Sequence, residues 1–309
     1  MRILVVGAGS TGGFFGARLL QAGRDVTFLV RPGRAETLRR DGLQVLSPHG
    51  DFKVTPPLLT AAELRERAEP YDLILLTVKA YGLEQALDDV APAVGDQTAI
   101  LPLLNGLQHL EQLAARFGAQ AVIGGVCKII STLDEQGRIV QGAKINDLYY
   151  AELDGTRSER LQRIDQTLSG AGFQARWSSD IRRDLWEKWV LLATLGSINS
   201  LMRGTVGEVA SVPEGLAFIH AMLDEVVSIA KAAGTSPGAE YLEQTRRSLT
   251  ATDSRQTSSM YRDLQAGQPI EAQQIIGDLL ARGRAAGVPT PLLAAVWANL
   301  CVYQQKLAQ

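Results

Sequence analysis

The sequence Gly7-Ala8-Gly9-Ser10-Thr11-Gly12, set directly after the apolar run at residues 3–6, constrains the fold more than any other stretch of the chain. It fits the pattern G-x-G-x-x-G. Alone that pattern is weak, because glycines also mark ordinary turns. Its setting strengthens it: the motif follows a strand pattern, opens a helical pattern over residues 14–22 that stops at Gly23, and leads to a second apolar run at 26–30. Glycine permits the tight turn and the close approach of backbone to a pyrophosphate, and the helix N-terminus offers unpaired N–H groups to its charge. The stretch reads as the start of a Rossmann-type domain in which Gly7, Gly9, Ser10, Thr11 and Gly12 hold a dinucleotide.

Two further apolar runs, at 73–78 and 98–101, alternate with helix-length segments such as 80–90. Continuous apolar strands separated by helices predict a parallel sheet covered on both faces. Runs at 121–130, 138–140 and 148–151 lie closer together, with Glu135-Gln136-Gly137 between the first two, and predict an antiparallel extension of that sheet. Beyond Ser179 the period changes. Apolar residues recur at helical spacing over 181–201, 212–233, 254–266, 271–286 and 290–307. Gly287 is placed to close one helix, and Thr290-Pro291 to open the next as cap and first-turn proline. A chain of 309 residues exceeds what one core usually supports, so the expectation is an α/β chain of two domains: a Rossmann-type domain at 1–179 and an all-helical one at 180–309.

Charge and composition narrow the function. A formal net charge of -2 offers no footprint for nucleic acid or an anionic membrane surface. Cys127 and Cys301 form no metal-ligand spacing, and His49, His109 and His220 are scattered, so no metal site is expected. The apolar run begins at once after Met1-Arg2, without a signal-peptide pattern, and no apolar stretch approaches the roughly 20 residues of a membrane span. A cytoplasmic enzyme of small-molecule chemistry is the expectation.

Where an NAD enzyme usually carries Asp or Glu at the end of its second strand, this chain has Arg31, with Arg34 behind it. A guanidinium suits the 2′-phosphate of NADP, which a carboxylate would repel, although Arg31 could also be a solvated loop charge. Lys79 follows the third apolar run and Asn105-Gly106 the fourth, at the strand ends where an open α/β sheet binds its ligands. In the second half, Lys188 stands in Leu185-Trp186-Glu187-Lys188-Trp189-Val190-Leu191-Leu192. A lysine among such side chains loses solvation, which eases release of its proton near neutral pH; it could equally snorkel to water.

In combination, Gly7 to Gly12, Arg31, Lys79 in Val78-Lys79-Ala80, Asn105-Gly106, Lys188, Ser258-Ser259-Met260 and Glu271 resemble the ketopantoate reductase family in order and spacing over nearly the whole chain. The resemblance implies reduction of 2-dehydropantoate to (R)-pantoate with NADP as cofactor, a step of pantothenate biosynthesis. It implies that Lys188 protonates the carbonyl oxygen, that Glu271 binds the substrate hydroxyl and that Ser259 holds its carboxylate. It places Lys79 and Asn105 where cofactor and substrate meet, and Arg31 on the 2′-phosphate. Glu271 could also be a helix N-terminal carboxylate. The partner implied is a small 2-keto acid, with no nucleic acid and no membrane, and a homodimer is left open.

The chain departs from the family pattern at two positions. Four and eight residues after the lysine, where asparagines are usual, it has Leu192 and Gly196. Asn199 lies on the same stripe, but some three turns from Lys188 it is too far to replace a contact beside it. A more apolar and roomier pocket is expected, which favours as an alternative a reductase of a bulkier or less polar ketone; a non-catalytic NADP-binding regulator is the alternative of a different class, against which Lys188, Ser259 and Glu271 together argue.

Overall fold

The computed structural model describes residues 1–308 and falls into two units, Met1–Leu104 with His109–Ile181, and Asn105–Gln108 with the chain from Arg182 onward. The short segment Asn105–Gln108, inside the 1–179 span expected of the first domain, groups with the helical unit.

In chain order the first unit comprises β1 (Arg2–Val6), α1 (Ser10–Gln21), β2 (Asp25–Leu29), α2 (Pro32–Asp41), β3 (Leu43–Leu46), β4 (Phe52–Val54), β5 (Leu58–Leu59), α3 (Ala61–Arg67), β6 (Leu73–Leu76), α4 (Leu83–Val90), β7 (Ala99–Pro102), α5 (Gln108–Phe117), β8 (Ile123–Leu133), β9 (Ile139–Glu152), α6 (Glu159–Leu168) and β10 (Gln174–Trp177). One sheet runs β5-β2-β1-β6-β7, and every pairing in it is parallel. Its central strands show no alternation because both faces are buried. Leu4, Val6, Ile74 and Leu76 pack with Leu64, Leu83 and Val90 from α3 and α4 on one face. On the other, Gly16 of α1 lies against Phe28 and Val5 so closely that a Cβ there would stand 2.3 Å from the Phe28 ring. The chain leaves β1 toward β2 on one side and returns to β6 on the other, so the carboxyl ends of β1 and β6 flank the point where the winding reverses. That is where an open sheet forms its ligand crevice.

The residues expected to extend this sheet build a second one instead, of order β10-β9-β3-β4, with β8 antiparallel to β9. The runs at 138–140 and 148–151 are parts of one 14-residue strand, β9. The polar interval between them is not a break: Gly142, Lys144 and Ile145 are exposed strand residues. The turn at Glu135-Gln136-Gly137 forms as expected. Asp134 accepts the Gln136 and Arg138 N–H groups, and Gly137 takes the left-handed conformation at φ 74°.

The second unit is helical: α7 (Ile181–Met202), α8 (Val206–Ala210), α9 (Gly215–Ala232), α10 (Ala239–Leu249), α11 (Ser259–Gln265), a π turn (Gln273–Gly277) continuing into α12 (Asp278–Ala285), and α13 (Pro291–Leu307). Trp189, Val190 and Ala193 of α7 share a core with Val226 of α9, Leu279 of α12 and Leu293 of α13. Helix α10 is absent from the sequence reading because its polar residues dilute the apolar stripe; Thr245 and Leu249 are its buried positions. The helix expected from 254 starts only at Ser259, where Ser258 caps it by accepting the Tyr261 N–H at 3.0 Å.

Pro291 opens α13 as expected, but Thr290 makes no side-chain cap. The cap comes from α9, whose Glu225 carboxylate accepts Leu292 N–H and Leu293 N–H at 3.0 Å each. A carboxylate there satisfies two orphan donors and faces the positive end of the helix dipole. Glu225→Ala should lower unfolding free energy by about 1 to 2 kcal/mol, read as a shift in urea midpoint, whereas Thr290→Ala should leave the midpoint nearly unchanged. The opposite ranking would return the cap to Thr290.

Candidate active site

The glycine motif is held by a residue outside it. Thr77, just past β6, donates its hydroxyl toward the carbonyls of Val6 at 2.8 Å and Gly7 at 3.1 Å. A Cβ on Gly12 would stand 2.0 Å from that hydroxyl and 2.4 Å from the Gly7 carbonyl, so no side chain fits. Gly7 turns the chain at φ 96°. Gly9 is different: a Cβ there meets nothing within 4 Å, so the protein itself does not demand glycine at this place. Gly9 also stands at the N-cap of α1 without a side-chain cap. The uncapped first turn that carries Ser10, Thr11 and Gly12, with an open cradle beside Gly9, fits a pyrophosphate.

Arg31 is exposed at the N-cap of α2, and its guanidinium lies 3.7 Å from where a Gly82 Cβ would stand. Gly82 closes the short turn begun by Lys79, whose carbonyl accepts the Gly82 N–H at 2.9 Å. Arg31 and the Lys79 turn therefore lie side by side past the ends of β2 and β6. Arg34 does not join them. Its guanidinium donates to the backbone carbonyls of Ala8 at 3.3 Å and Gly137 at 3.1 Å, tying the glycine loop to the β8–β9 turn.

In the helical unit Lys188 is half-buried on α7. Its neighbour Glu187 is fixed twice: the carboxylate accepts the Gly238 N–H at 2.9 Å and the backbone carbonyl accepts the Tyr241 hydroxyl. Burial pushes that hydroxyl well above its ordinary pKa, so it remains a donor. One and two turns after Lys188 on the same stripe come Leu192, half-buried, and Gly196, buried. The space that Gly196 was expected to open is filled, since Met260 Cε stands 2.8 Å from where its Cβ would be. The stripe thus faces the start of α11, which carries Ser259.

Asn105 and Glu271 meet directly. The Asn105 amide donates to Glu271 Oε2 at 3.2 Å, and the glutamate is only 3% exposed. Gly106 makes the approach feasible: a Cβ on it would stand 2.4 Å from the Gln274 carbonyl, at φ 77°. The π turn that begins two residues after Glu271 exposes the Ile275 carbonyl to the Trp189 indole N–H, 2.9 Å away. Glu271 is therefore a buried carboxylate with an amide donor rather than a solvated helix-end charge. Acceptor-only when ionised, it suits a ligand hydroxyl.

The sequence reading missed Thr77, Trp189 and the role of Asn199. Asn199 is fully buried, accepts the Ser258 N–H at 2.8 Å and donates to the Gly204 carbonyl at 2.8 Å. Its place on the Lys188 stripe is the only sequence signal, and its partners lie across the fold rather than beside Lys188. Among the described residues no group of three or more His, Cys, Asp or Glu could hold a metal, and no helix is long and apolar enough to cross a membrane.

Comparison with known proteins gives matches over both units. The family model described as ketopantoate reductase PanE/ApbA covers residues 3–155, and that of its C-terminal part covers residues 180–304. An uncharacterized oxidoreductase, YkpB of Bacillus subtilis, is 33% identical, with 98% of this chain and 99% of the relative aligned. The crystal structure of 2-dehydropantoate 2-reductase from Geobacter metallireducens superposes with TM-score 0.87 at 29% identity, over 97% of this chain and 99% of that one. A ternary structure of D-mandelate dehydrogenase with NADH and anilino(oxo)acetate shares the fold, with TM-score 0.89 at 20% identity over 100% and 99% of the two chains.

The two glycines give separable outcomes. Gly9→Ala should leave thermal stability within about 1 °C of wild type while weakening NADH and NADPH alike by about tenfold or more, because the methyl group occupies the approach to the loop. Gly12→Ala should lower both stability and binding. Differential scanning fluorimetry with cofactor titration checks both, and retained binding in Gly9→Ala would remove the cradle.

Proposed function

The chain belongs to the ketopantoate reductase family and is an oxidoreductase, and from that premise we propose that it reduces the ketone of a hydroxylated 2-keto acid with NADPH, 2-dehydropantoate to (R)-pantoate being the favoured reaction. The observation that carries this reading is the buried Asn105–Glu271 pair. A carboxylate removed from water must recover its lost hydration through donors. The Asn105 amide supplies one such donor, and the carboxylate, acceptor-only when ionised, is the group to which a substrate hydroxyl would donate.

When bound, the nicotinamide supplies hydride to the carbonyl carbon. Lys188 donates a proton to the carbonyl oxygen as negative charge develops there. Ser259 holds the carboxylate of the substrate, and Glu271 accepts its hydroxyl. Gly7, Gly9, Ser10, Thr11 and Gly12 bind the pyrophosphate through backbone and hydroxyl donors. Lys79 and Asn105 are the residues that would serve both cofactor and substrate.

The choice of NADPH rests on Arg31. An exposed guanidinium beside the Lys79 turn, where a carboxylate would mark an NAD enzyme, suits a 2′-phosphate through paired charge-assisted bonds. Arg34, committed to the Ala8 and Gly137 carbonyls, has a positioning part. Arg31→Ala should raise the NADPH Kd about ten- to a hundredfold and leave the NADH Kd nearly unchanged. Equal changes for both cofactors would remove the assignment.

A second reading, a bulkier or less polar 2-keto acid, is favoured by Leu192 and by Met260 against Gly196, which make this part of the Lys188 stripe apolar. One panel separates the two. NADPH oxidation should be followed with 2-dehydropantoate, its deoxy analogue and a 2-keto acid with a branched apolar side chain, for wild type, Lys188→Ala and Glu271→Ala. The hydroxylated reading expects a preference for 2-dehydropantoate over the deoxy analogue of about tenfold or more in kcat/KM, erased in Glu271→Ala. Lys188→Ala should lower kcat by about two to four orders of magnitude with NADPH affinity kept. Equal wild-type turnover of the deoxy analogue would transfer the proposal to the second reading.

A further inference from the structure

Asn199 joins two stretches of backbone far apart in sequence. With 0% exposure it has no recourse to water, yet each end of its amide is used: Oδ1 accepts the Ser258 N–H and Nδ2 donates to the Gly204 carbonyl, with the Gln256 carbonyl a longer 3.5 Å away. Asparagine has both a donor and an acceptor; alanine has neither, and ionised aspartate lacks the donor. Around this bond the segment is drawn onto the α7–α8 junction. Val206 N–H reaches the Gln256 carbonyl at 3.1 Å, and Gly207 N–H the Ser254 carbonyl at 2.8 Å. Gly207 cannot carry a side chain here, since a Cβ would stand 2.6 Å from the Thr252 carbonyl.

The same segment is closed from its other sides. Met260 fills the space above Gly196, one turn before Asn199 on α7. Arg262 turns back to donate to the Thr257 carbonyl at 2.7 Å, which brings a positive charge against the segment. Ser258 commits its hydroxyl to the Tyr261 N–H. Ser259, half-buried, follows it at the head of α11, next to Met260, which packs on α7.

We propose that Asn199 is a positioning residue for substrate-carboxylate recognition: through the Ser258 N–H and the Gly204 carbonyl it fixes the 256–260 segment on α7, so that Ser259 is held in place for the acid group. The inference rests on the reading of the chain as a 2-keto acid reductase. Asn199 touches no reacting atom. Its loss acts on the fit of the acid group and leaves proton donation by Lys188 and the dinucleotide loop as they are.

The test compares a 2-keto acid with its methyl ester, at saturating NADPH, in wild type, Asn199→Ala and Asn199→Asp, with the NADPH Kd measured by fluorescence. Asn199→Ala should raise KM for the acid about tenfold, change KM for the ester less than about twofold, and leave the NADPH Kd unaltered. Asn199→Asp supplies a folding-independent check. Burial raises the pKa of the substituted carboxyl, and once protonated it again has a donor for Gly204 and an acceptor for Ser258. Its KM for the acid should therefore return toward the wild-type value as pH is lowered, while wild type shows no such trend. Equal KM changes for acid and ester, or the absence of low-pH recovery in Asn199→Asp, would overturn the proposal and leave the keto acid reading standing. A wild type that reduces neither compound would overturn that reading, and this proposal with it.

Discussion

The helical unit is organised on α7, which is buried through most of its second half and holds neighbouring elements through polar contacts made along its length. Its neighbours are arranged accordingly. Glu187 receives Gly238 and Tyr241, Trp189 reaches the Ile275 carbonyl, and Asn199 bridges Ser258 and Gly204. Where α7 has no side chain, at Gly196, Met260 closes the gap. Three separate elements are thereby referred to one axis, and Lys188 lies on that axis among them.

The first unit follows the same economy around Thr77. One hydroxyl bonds the Val6 and Gly7 carbonyls and occupies the place a Gly12 side chain would need. The three motif glycines thus answer to different demands. Gly7 serves the turn and Gly12 serves packing, whereas a Cβ on Gly9 would meet nothing within 4 Å. A motif match treats the three alike, and geometry distinguishes them.

Placement of this kind suits the reaction proposed for the chain, in which the protein would contribute orientation and one proton and the cofactor the hydride. The Asn105–Glu271 contact is made within one unit, because the Asn105–Gln108 segment groups with the helices. The approach of the two residues is made possible by Gly106, which packs against the Gln274 carbonyl.

Much of this was legible in the sequence, because the determining patterns are local. Continuous apolar runs gave the parallel strands, the change of period near residue 180 gave the helical unit, and the glycine motif gave the first turn. Lys188 could be singled out from its place in an apolar helix, whereas Ser259 and Glu271 were candidates only through the family resemblance. What the sequence could not fix were relations between distant segments. The interval at 142–145 looks like a break but is strand, since burial of the flanking residues outweighs local polarity. Thr290 has the chemistry of a cap, yet Glu225 takes the role from another helix. Gly196 promised space that Met260 fills, and Asn199 was set aside on distance along a helix while its partners lay across the fold. Residue chemistry and period belong to the chain itself, so the sequence determined the strongly periodic elements and the candidate groups; which donor meets which acceptor depends on packing, and only the tertiary structure decided it.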